Sequence, residues 1–151
     1  MTHNLIDPDQ LAQVRDELDV LADLVPLAEQ RLIELGCGNA RLARSLVQRY
    51  PGAQLVGLEV DEVQHAQNVA HPQQRLVFMA GSAEAVPFPD ASFDGALMLK
   101  SLHHVPLDAM DTALAEVARV VKPGGWLYVS EPIFGGALNE IVRLYNDENT
   151  V

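Results

Sequence analysis

Short apolar runs alternate with amphipathic stretches along most of this chain. Nearly continuous apolar runs are typical of strands that are buried on both faces of a sheet. Between these runs, apolar residues recur at spacings of three and four, as on one face of a helix. This alternation predicts an α/β fold: an open, doubly wound, mostly parallel sheet with helices on both faces. The five predicted strands are residues 31–35, 55–60, 75–80, 93–99 and 126–130.

The predicted helices have recognisable boundaries. Asp7 and Pro8 are typical of a helix start, and Pro26 ends that first helix. Lys122 to Gly125 forms a predicted turn before the fifth strand, with glycine able to take positive φ at its third position. The apolar helix positions are Leu11, Val14, Leu18, Leu21 and Val25; then Leu42, Ala43, Leu46, Val47 and Tyr50; then Leu107, Met110, Leu114, Val117 and Val121, with further helices predicted over 62–70 and 138–145.

Length and composition predict one globular domain. The chain has 151 residues, of which 48% are hydrophobic and 21% are charged. We expect a single domain over residues 1–151, with a helical cap at 1–30, a ligand-binding core at 31–131 and the start of a C-terminal part at 132–151. No apolar run approaches the roughly 18 residues that a membrane span needs.

The charge excludes some partners. Ten Lys and Arg residues against 21 Asp and Glu residues give a formal net charge of −11. Nucleic-acid binding and attachment to an anionic membrane surface are therefore not expected, whereas a cationic ligand would be tolerated. Cys37 is the single cysteine, so no disulfide can form within the chain, and a reducing, cytoplasmic location is expected.

A glycine-containing loop joins the first strand to the next helix. Gly36 and Gly38 allow a sharp turn and a close approach of ligand to backbone. A dinucleotide fingerprint would need a third glycine where this chain has Arg41, which weakens that interpretation. A tight turn that binds no ligand is the plainer alternative.

The loop resembles the E/D-x-G-x-G-x-G motif of class I S-adenosylmethionine-dependent methyltransferases, with Glu34, Gly36 and Gly38 matching and Ala40 departing from it. Residues 81–90 resemble the G-D-A-E-x-L-P-F-x-D segment of that family, with serine at the second position. Residues 116–125 resemble its E-x-x-R-V-L-K-P-G-G signature. Together the motifs run from about residue 32 to residue 131 and favour the type that modifies quinone precursors and other small metabolites.

The resemblance implies a Rossmann-like fold and methyl transfer from S-adenosylmethionine to a small-molecule acceptor, leaving S-adenosylhomocysteine. An acidic residue at the end of the second strand of a doubly wound sheet can bind ribose hydroxyls, which predicts that role for Glu59. Asp61 is the better candidate for capping the following helix. The resulting cofactor-binding set is Glu34, Gly36, Cys37, Gly38, Glu59, Val60, Ser82, Ala83 and Leu99.

Three residues are candidates for general base. His104 and His103 follow the fourth strand, and Glu131 ends the fifth. Methyl transfer needs neither a metal nor a nucleophilic side chain, so Cys37 is interpreted as a packing residue. We expect Lys100 to turn away from the sulfonium or to meet a carboxylate, because an unpaired cation there would be costly.

The predicted sheet has fewer strands than the family pattern. The family usually carries seven strands, the last two forming a hairpin, and five are predicted here. We expect the exposed edge of the fifth strand to pair with a second copy in a homodimer, unless the sequence is part of a longer enzyme.

Two alternatives to a methyltransferase stay open. Ser82 and Ala40 would also suit a non-catalytic S-adenosylmethionine-binding or regulatory subunit. A nicotinamide-dependent oxidoreductase is the other alternative.

Overall fold

The centre of the fold is a five-stranded sheet in which every neighbouring pair of strands is parallel. A computed structural model describes residues 16–132. The strands are β1 Arg31–Leu35, β2 Gln54–Glu59, β3 Leu76–Ala80, β4 Phe93–Leu99 and β5 Val121–Ser130. Their order in the sheet is β3-β2-β1-β4-β5: β2 and β3 are added on one side of β1, and the chain then crosses over to add β4 and β5 on the other side. The predicted doubly wound sheet is therefore confirmed.

Helices cover both faces of this sheet. They are α1 Glu17–Leu24, α2 Arg41–Arg49, α3 Glu62–Ala70 and α4 Met110–Val120. Helices α1 and α2 contribute to one apolar cluster with the inward side chains of the strands, and α4 contributes to the other. Leu32 and Ile33 show how β1 serves both clusters: these neighbours are fully buried on opposite faces.

The chain differs from the sequence-based prediction at several element ends. Asp16 is the N-cap of α1 and has non-helical backbone, so a single helix from Pro8 to Val25 is wrong. Arg75, the predicted first residue of the third strand, has φ of +66° and precedes β3. Val60, the predicted last residue of the second strand, follows β2 and is 65% exposed. Residues 122–125 bulge out within β5, where the pairing with β4 shifts, and the third of them has the expected positive φ of +80°.

The buried face of α4 is not the predicted one. Ala113, Val117 and Val120 are buried, whereas Leu107 lies in a short 3₁₀ turn before the helix and is 68% exposed. Leu114 is also partly exposed to solvent. The two stripes share one residue, so spacing alone could not decide between them.

Some predicted features fall outside the described residues. They are the helix start at Asp7 and Pro8, the stripe residues Leu11 and Val14, and the helix over 138–145. Between residues 16 and 132, no helix is both long enough and apolar enough to span a bilayer.

Candidate functional site

A cleft opens at the carboxyl ends of the parallel strands, where doubly wound sheets bind their ligands. Its volume is about 1250 Å³, above the range of roughly 300–1,000 Å³ typical of pockets for one small ligand. The N-terminus of α1, the loops after β1, β2 and β3, and the segment after β4 all contribute to its walls. The cleft therefore has room for two small molecules side by side.

The glycine loop is held against the end of β2. The N–H groups of Gly36 and Cys37 both donate to the carbonyl oxygen of Leu58, at 2.9 and 3.0 Å. Gly36 has φ of +68°, and a Cβ there would lie 2.7 Å from the Cβ of Ser101. Gly38 has φ of +52°, but a Cβ there would meet nothing within 4 Å. The first glycine is thus required by packing, and the second leaves open space.

Glu59 connects this loop to the end of β2. One carboxylate oxygen accepts from the N–H of Gly38 at 2.7 Å, and the other accepts from the N–H of Asp61 at 3.0 Å. The side chain is buried, yet it lines the cleft. A carboxylate has about four lone-pair sites, so two remain for a ligand. The predicted helix cap is confirmed, because Asp61 itself accepts from the N–H of Gln64.

Asn68 is a loop-positioning residue that the sequence did not reveal. It is buried in α3, and its side-chain N–H donates to the carbonyl oxygen of Gly38 at 2.7 Å. Gln64, one turn earlier, donates to its side-chain oxygen. Gly38 is therefore bound on its N–H by Glu59 and on its carbonyl by Asn68. The one available signal was that α3 lacks an apolar stripe, with Val63 and Val69 exposed.

Glu34 is a buried carboxyl group in the cleft wall. One of its oxygens has no hydrogen-bond partner among the described residues. Burial, together with the nearby charges of Glu17 and Glu59, raises the pKa of Glu34 to about 8. A buried polar atom without a partner is costly unless something satisfies it. A positively charged ligand in the cleft would favour the ionised form of this carboxyl group.

Cys37 is a packing residue here. Burial raises the pKa of its thiol to about 12, and the nearby charges of Glu34 and Glu59 act in the same direction. The sulfur lies beside Gly57, where an added Cβ would come within 2.9 Å of it. A thiol held protonated in this way is a poor nucleophile.

The loop after β3 is held against α4 by hydrogen bonds to an ion pair on that helix. Glu116 and Arg119 bind each other, and together they bind the N–H and carbonyl of Val86. Arg119 also donates to the Phe88 carbonyl and to Asp90. Hydrogen bonds from Arg119 and from the Val86 N–H lower the pKa of Glu116 to about 2. The signature motif thus positions the loop that begins with Ser82 and Ala83.

The segment after β4 forms the remaining wall. Lys100 has φ of +54°, and its N–H donates to the Ser130 carbonyl at 2.7 Å. Its side chain is exposed and has no carboxylate partner among the described residues. Ser101 is buried, and its hydroxyl donates to the Leu35 carbonyl at 2.8 Å. The backbone of this segment is therefore fixed on both sides, while the lysine side chain is free.

The three candidate bases occupy different positions. His104 lines the cleft, whereas His103 and Glu131 do not. Nδ1 of His103 lies 2.5 Å from one oxygen of Glu131, whose other oxygen accepts from the N–H of Leu102. The two imidazole rings are 4.0 Å apart between centroids. Glu131 and His103 therefore support the turn that presents His104.

All nine predicted cofactor residues line this one cleft: Glu34, Gly36, Cys37, Gly38, Glu59, Val60, Ser82, Ala83 and Leu99. Sequence reasoning missed the contribution of α1, whose first turn adds Asp16 and Glu17 to the same wall.

Comparison with known proteins points to one family. The family model described as "Methyltransferase domain" matches residues 33–129. A 27-O-demethylrifamycin SV methyltransferase of Amycolatopsis mediterranei is 36% identical over 118 residues, which covers 75% of this chain and 43% of that enzyme. The chain spans less than half the length of the first curated relatives it matches.

Solved structures agree on the fold. A SAM-dependent methyltransferase of Thermotoga maritima is similar with a TM-score of 0.66 and 29% identity, covering 89% of this chain and 58% of that one. The [4+2]-cyclase SpnF is similar with a TM-score of 0.67 and 31% identity, covering 76% of this chain and 43% of that one. Proteins of this fold therefore carry more than one named activity.

Proposed function

The chain belongs to the methyltransferase domain family of class I S-adenosylmethionine-dependent methyltransferases, and from that premise we propose that it binds S-adenosylmethionine and methylates a small-molecule acceptor. The observation that carries the proposal is that a glycine loop, the buried carboxylate of Glu59 and the buried carboxyl group of Glu34 all line one cleft. The chain covers less than half the length of the first curated relatives it matches, so activity, acceptor and partners are proposals for the whole protein.

Each part of the cofactor would meet residues of matching chemistry. Glu59 has two free acceptor sites for the ribose hydroxyls. The exposed side chain of Val60 and the partly buried side chain of Leu99 would pack against apolar parts of the ligand, and Ser82 would hydrogen-bond the adenine edge near Ala83. The remaining members of the set, Glu34, Gly36, Cys37 and Gly38, would border the charged end.

The residues of the cleft are suited to methyl transfer. When bound, the cofactor supplies a methyl group activated by a sulfonium, so the protein has to align acceptor and donor and needs no nucleophile of its own. The acidic lining favours a cationic ligand. His104 is the candidate base that reaches the cleft, and the pairing of His103 with Glu131 fixes the turn on which it sits. We assign to His104 the role of accepting the proton of the acceptor, and to His103 and Glu131 a positioning role.

The acceptor class follows from volume and charge. A cleft of about 1250 Å³ holds a small molecule beside the cofactor, and a net charge of −11 disfavours nucleic acid. The quinone-precursor subtype stays a prediction. So do a cytoplasmic location, which the free, buried Cys37 supports, and a homodimer through the outer edge of β5, which is unpaired within residues 16–132.

The second candidate function is binding of the cofactor without methyl transfer. The similarity to a [4+2]-cyclase shows that this fold serves a named activity other than methyl transfer. Ser82 and Ala40 depart from the motif, which is consistent with a chain that binds the cofactor without turnover. A nicotinamide cofactor is less favoured, because Arg41 stands where its fingerprint needs glycine.

Calorimetry with S-adenosylmethionine, S-adenosylhomocysteine and a nicotinamide dinucleotide would test the proposal. We expect the first two to bind to the 151-residue chain and the third not to bind. An acceptor screen that follows S-adenosylhomocysteine formation then separates the two candidates. Binding with turnover supports the methyltransferase, whereas binding without turnover on any acceptor supports the second function. Failure of both adenosyl compounds to bind would contradict each of them.

A further inference from the structure

The basic side chains of this protein divide into two groups. The whole chain has two lysines, and one of them, Lys122, is 2.7 Å from Asp94. Within residues 16–132, six of the eight Arg and Lys side chains have an ion pair, a hydrogen bond or an aromatic contact. Arg41 and Lys100 have none, and both line the cleft. The partnered ones are Arg31, Arg44, Arg49, Arg75, Arg119 and Lys122.

An unpartnered cation is unexpected in this place. Asp16, Glu17 and Glu84 line the same cleft, together with the buried carboxyls of the cofactor wall. Lys100 has no carboxylate partner among the described residues, although its cleft is rich in carboxylates. Its charge is therefore available to a ligand.

The backbone at Lys100 is held in an unfavourable conformation. A φ of +54° is uncommon for a residue with a long side chain. The conformation persists because Lys100 donates to Ser130 and because Ser101 is buried against Gly36. Such a conformation persists only where the surrounding structure over-determines it, so the backbone from which the Lys100 side chain extends is fixed.

The two free cations belong to different walls. Arg41 is the first residue of α2 and follows the glycine loop, on the cofactor wall. Lys100 directly precedes the turn that carries His104, on the wall where the acceptor would be activated. A cation here would lower the cost of bringing an anion into an acidic cleft.

We propose that Lys100 is a specificity-determining residue that binds the carboxylate of an organic-acid acceptor beside His104. The inference rests on the proposed function, because it assumes that the cofactor occupies the glycine-loop wall. It narrows the acceptor class from small molecules in general to organic acids.

The test uses the full chain saturated with S-adenosylhomocysteine and matched pairs of small probes. Each pair is a carboxylate and its primary amide: benzoate and benzamide, phenylacetate and phenylacetamide, octanoate and octanamide. Saturation-transfer NMR and titration give the Kd of each probe. We expect carboxylates to bind more tightly than their amides, and Lys100→Met to reduce that preference about tenfold, as for loss of a charge-assisted hydrogen bond. Lys100→Arg should retain it, and Lys122→Met, which removes the other lysine, should leave it unchanged.

The outcomes separate this inference from the proposed function. If S-adenosylhomocysteine does not bind, the proposed function fails and the inference fails with it. If it binds but amides bind as well as carboxylates, or if Lys100→Met keeps the preference, only the inference is overturned. A Lys100→Met variant that loses affinity for S-adenosylhomocysteine and not for the probes also overturns it, since Lys100 would then bind the carboxylate of the cofactor itself.

Discussion

The two walls of the cleft are built differently. On the wall formed by the ends of β1 and β2, Glu34 and Glu59 are buried, and the supporting Asn68 is buried behind them. Glu59 and Asn68 hold the N–H and the carbonyl of one glycine. On the wall that follows β4, Lys100 and His104 are exposed, and neither side chain has a hydrogen-bond partner among the described residues.

This difference separates a fixed task from a variable one. Polar groups that are buried and bound to backbone hold one geometry, as recognition of a single invariant ligand requires. Exposed side chains on a fixed backbone can be exchanged without disturbing the core, which suits a wall that meets different acceptors in different proteins. We therefore expect substitutions on the first wall to affect cofactor binding and stability, and substitutions on the second to affect acceptor and turnover.

The largest effect is expected for Gly36→Ala. The new Cβ would lie 2.7 Å from the Cβ of Ser101 at a φ of +68°, so overpacking and backbone strain combine to about 3 kcal/mol of lost stability. Cofactor binding should be lost with it. Urea unfolding and calorimetry measure both quantities. Gly124→Ala is the matched control, because φ is +80° there but nothing lies within 4 Å; it should cost about 1 kcal/mol and leave affinity unchanged. Equal losses in the two variants would contradict the packing argument.

A large effect confined to turnover is expected for His104→Ala. General-base catalysis typically contributes a factor of about 10²–10⁴, so kcat should fall at least about a hundredfold on an acceptor that must lose a proton. The Kd for S-adenosylmethionine should not change. His71→Ala removes an exposed imidazole at the C-cap of α3 and serves as the control. If His104→Ala weakens cofactor binding as much as turnover, its role is structural and the assignment as base is wrong.

The sheet could be predicted because its strands carry strong, local signals. The apolar runs that became β1 and β4 match their predicted bounds, since a strand buried on both faces needs apolar residues at consecutive positions. The orientation of α4 could not be predicted in this way. Apolar residues at 107 and 114 and those at 113 and 120 both fit a helical period with Val117, and the contact with the sheet decides between them.

The cofactor wall was predictable for a related reason. The carboxyl ends of parallel strands meet at one edge of the sheet, so the positions of Gly36 and Glu59 predicted that they would line one cleft, and the resemblance added Glu34. The role of Asn68 could not, because a polar residue in a helix normally faces solvent. That Lys100 has no carboxylate partner among the described residues could not be predicted either, because it depends on the distances from its side chain to carboxylates that are remote in sequence.

A smaller effect on cofactor binding is expected for Glu59→Ala. Loss of the partner of the ribose hydroxyls should weaken S-adenosylmethionine binding by about 1–3 kcal/mol. Because Glu59 also holds Gly38, Asn68→Ala is the matched variant: it frees the other side of the same glycine without touching the ribose site. Calorimetry should show the greater loss for Glu59→Ala. Equal losses would mean that Glu59 acts only through the loop.

The smallest effect is a proton released on cofactor binding. Burial raises the pKa of Glu34 to about 8, so the folded protein retains a proton that the unfolded chain has lost above about pH 4.5. Stability should therefore fall as pH rises from about 4.5 to about 8, and Glu34→Gln should remove that slope. A cationic ligand favours the carboxylate, so binding near pH 7 should release up to about one proton, and affinity should rise toward pH 8.

Calorimetry in buffers of different ionisation enthalpy counts this proton directly. The wild-type chain should release it, Glu34→Gln should not, and Glu84→Gln, which removes another carboxylate from the same cleft, should behave like the wild type. The measurement also tests the contrast between the two walls, because Lys100→Met should leave the proton count unchanged. If the wild-type chain binds S-adenosylmethionine without exchanging protons between pH 6 and 8, Glu34 does not meet the charged end of the cofactor, and the first wall is less specialised for a cation than its burial indicates.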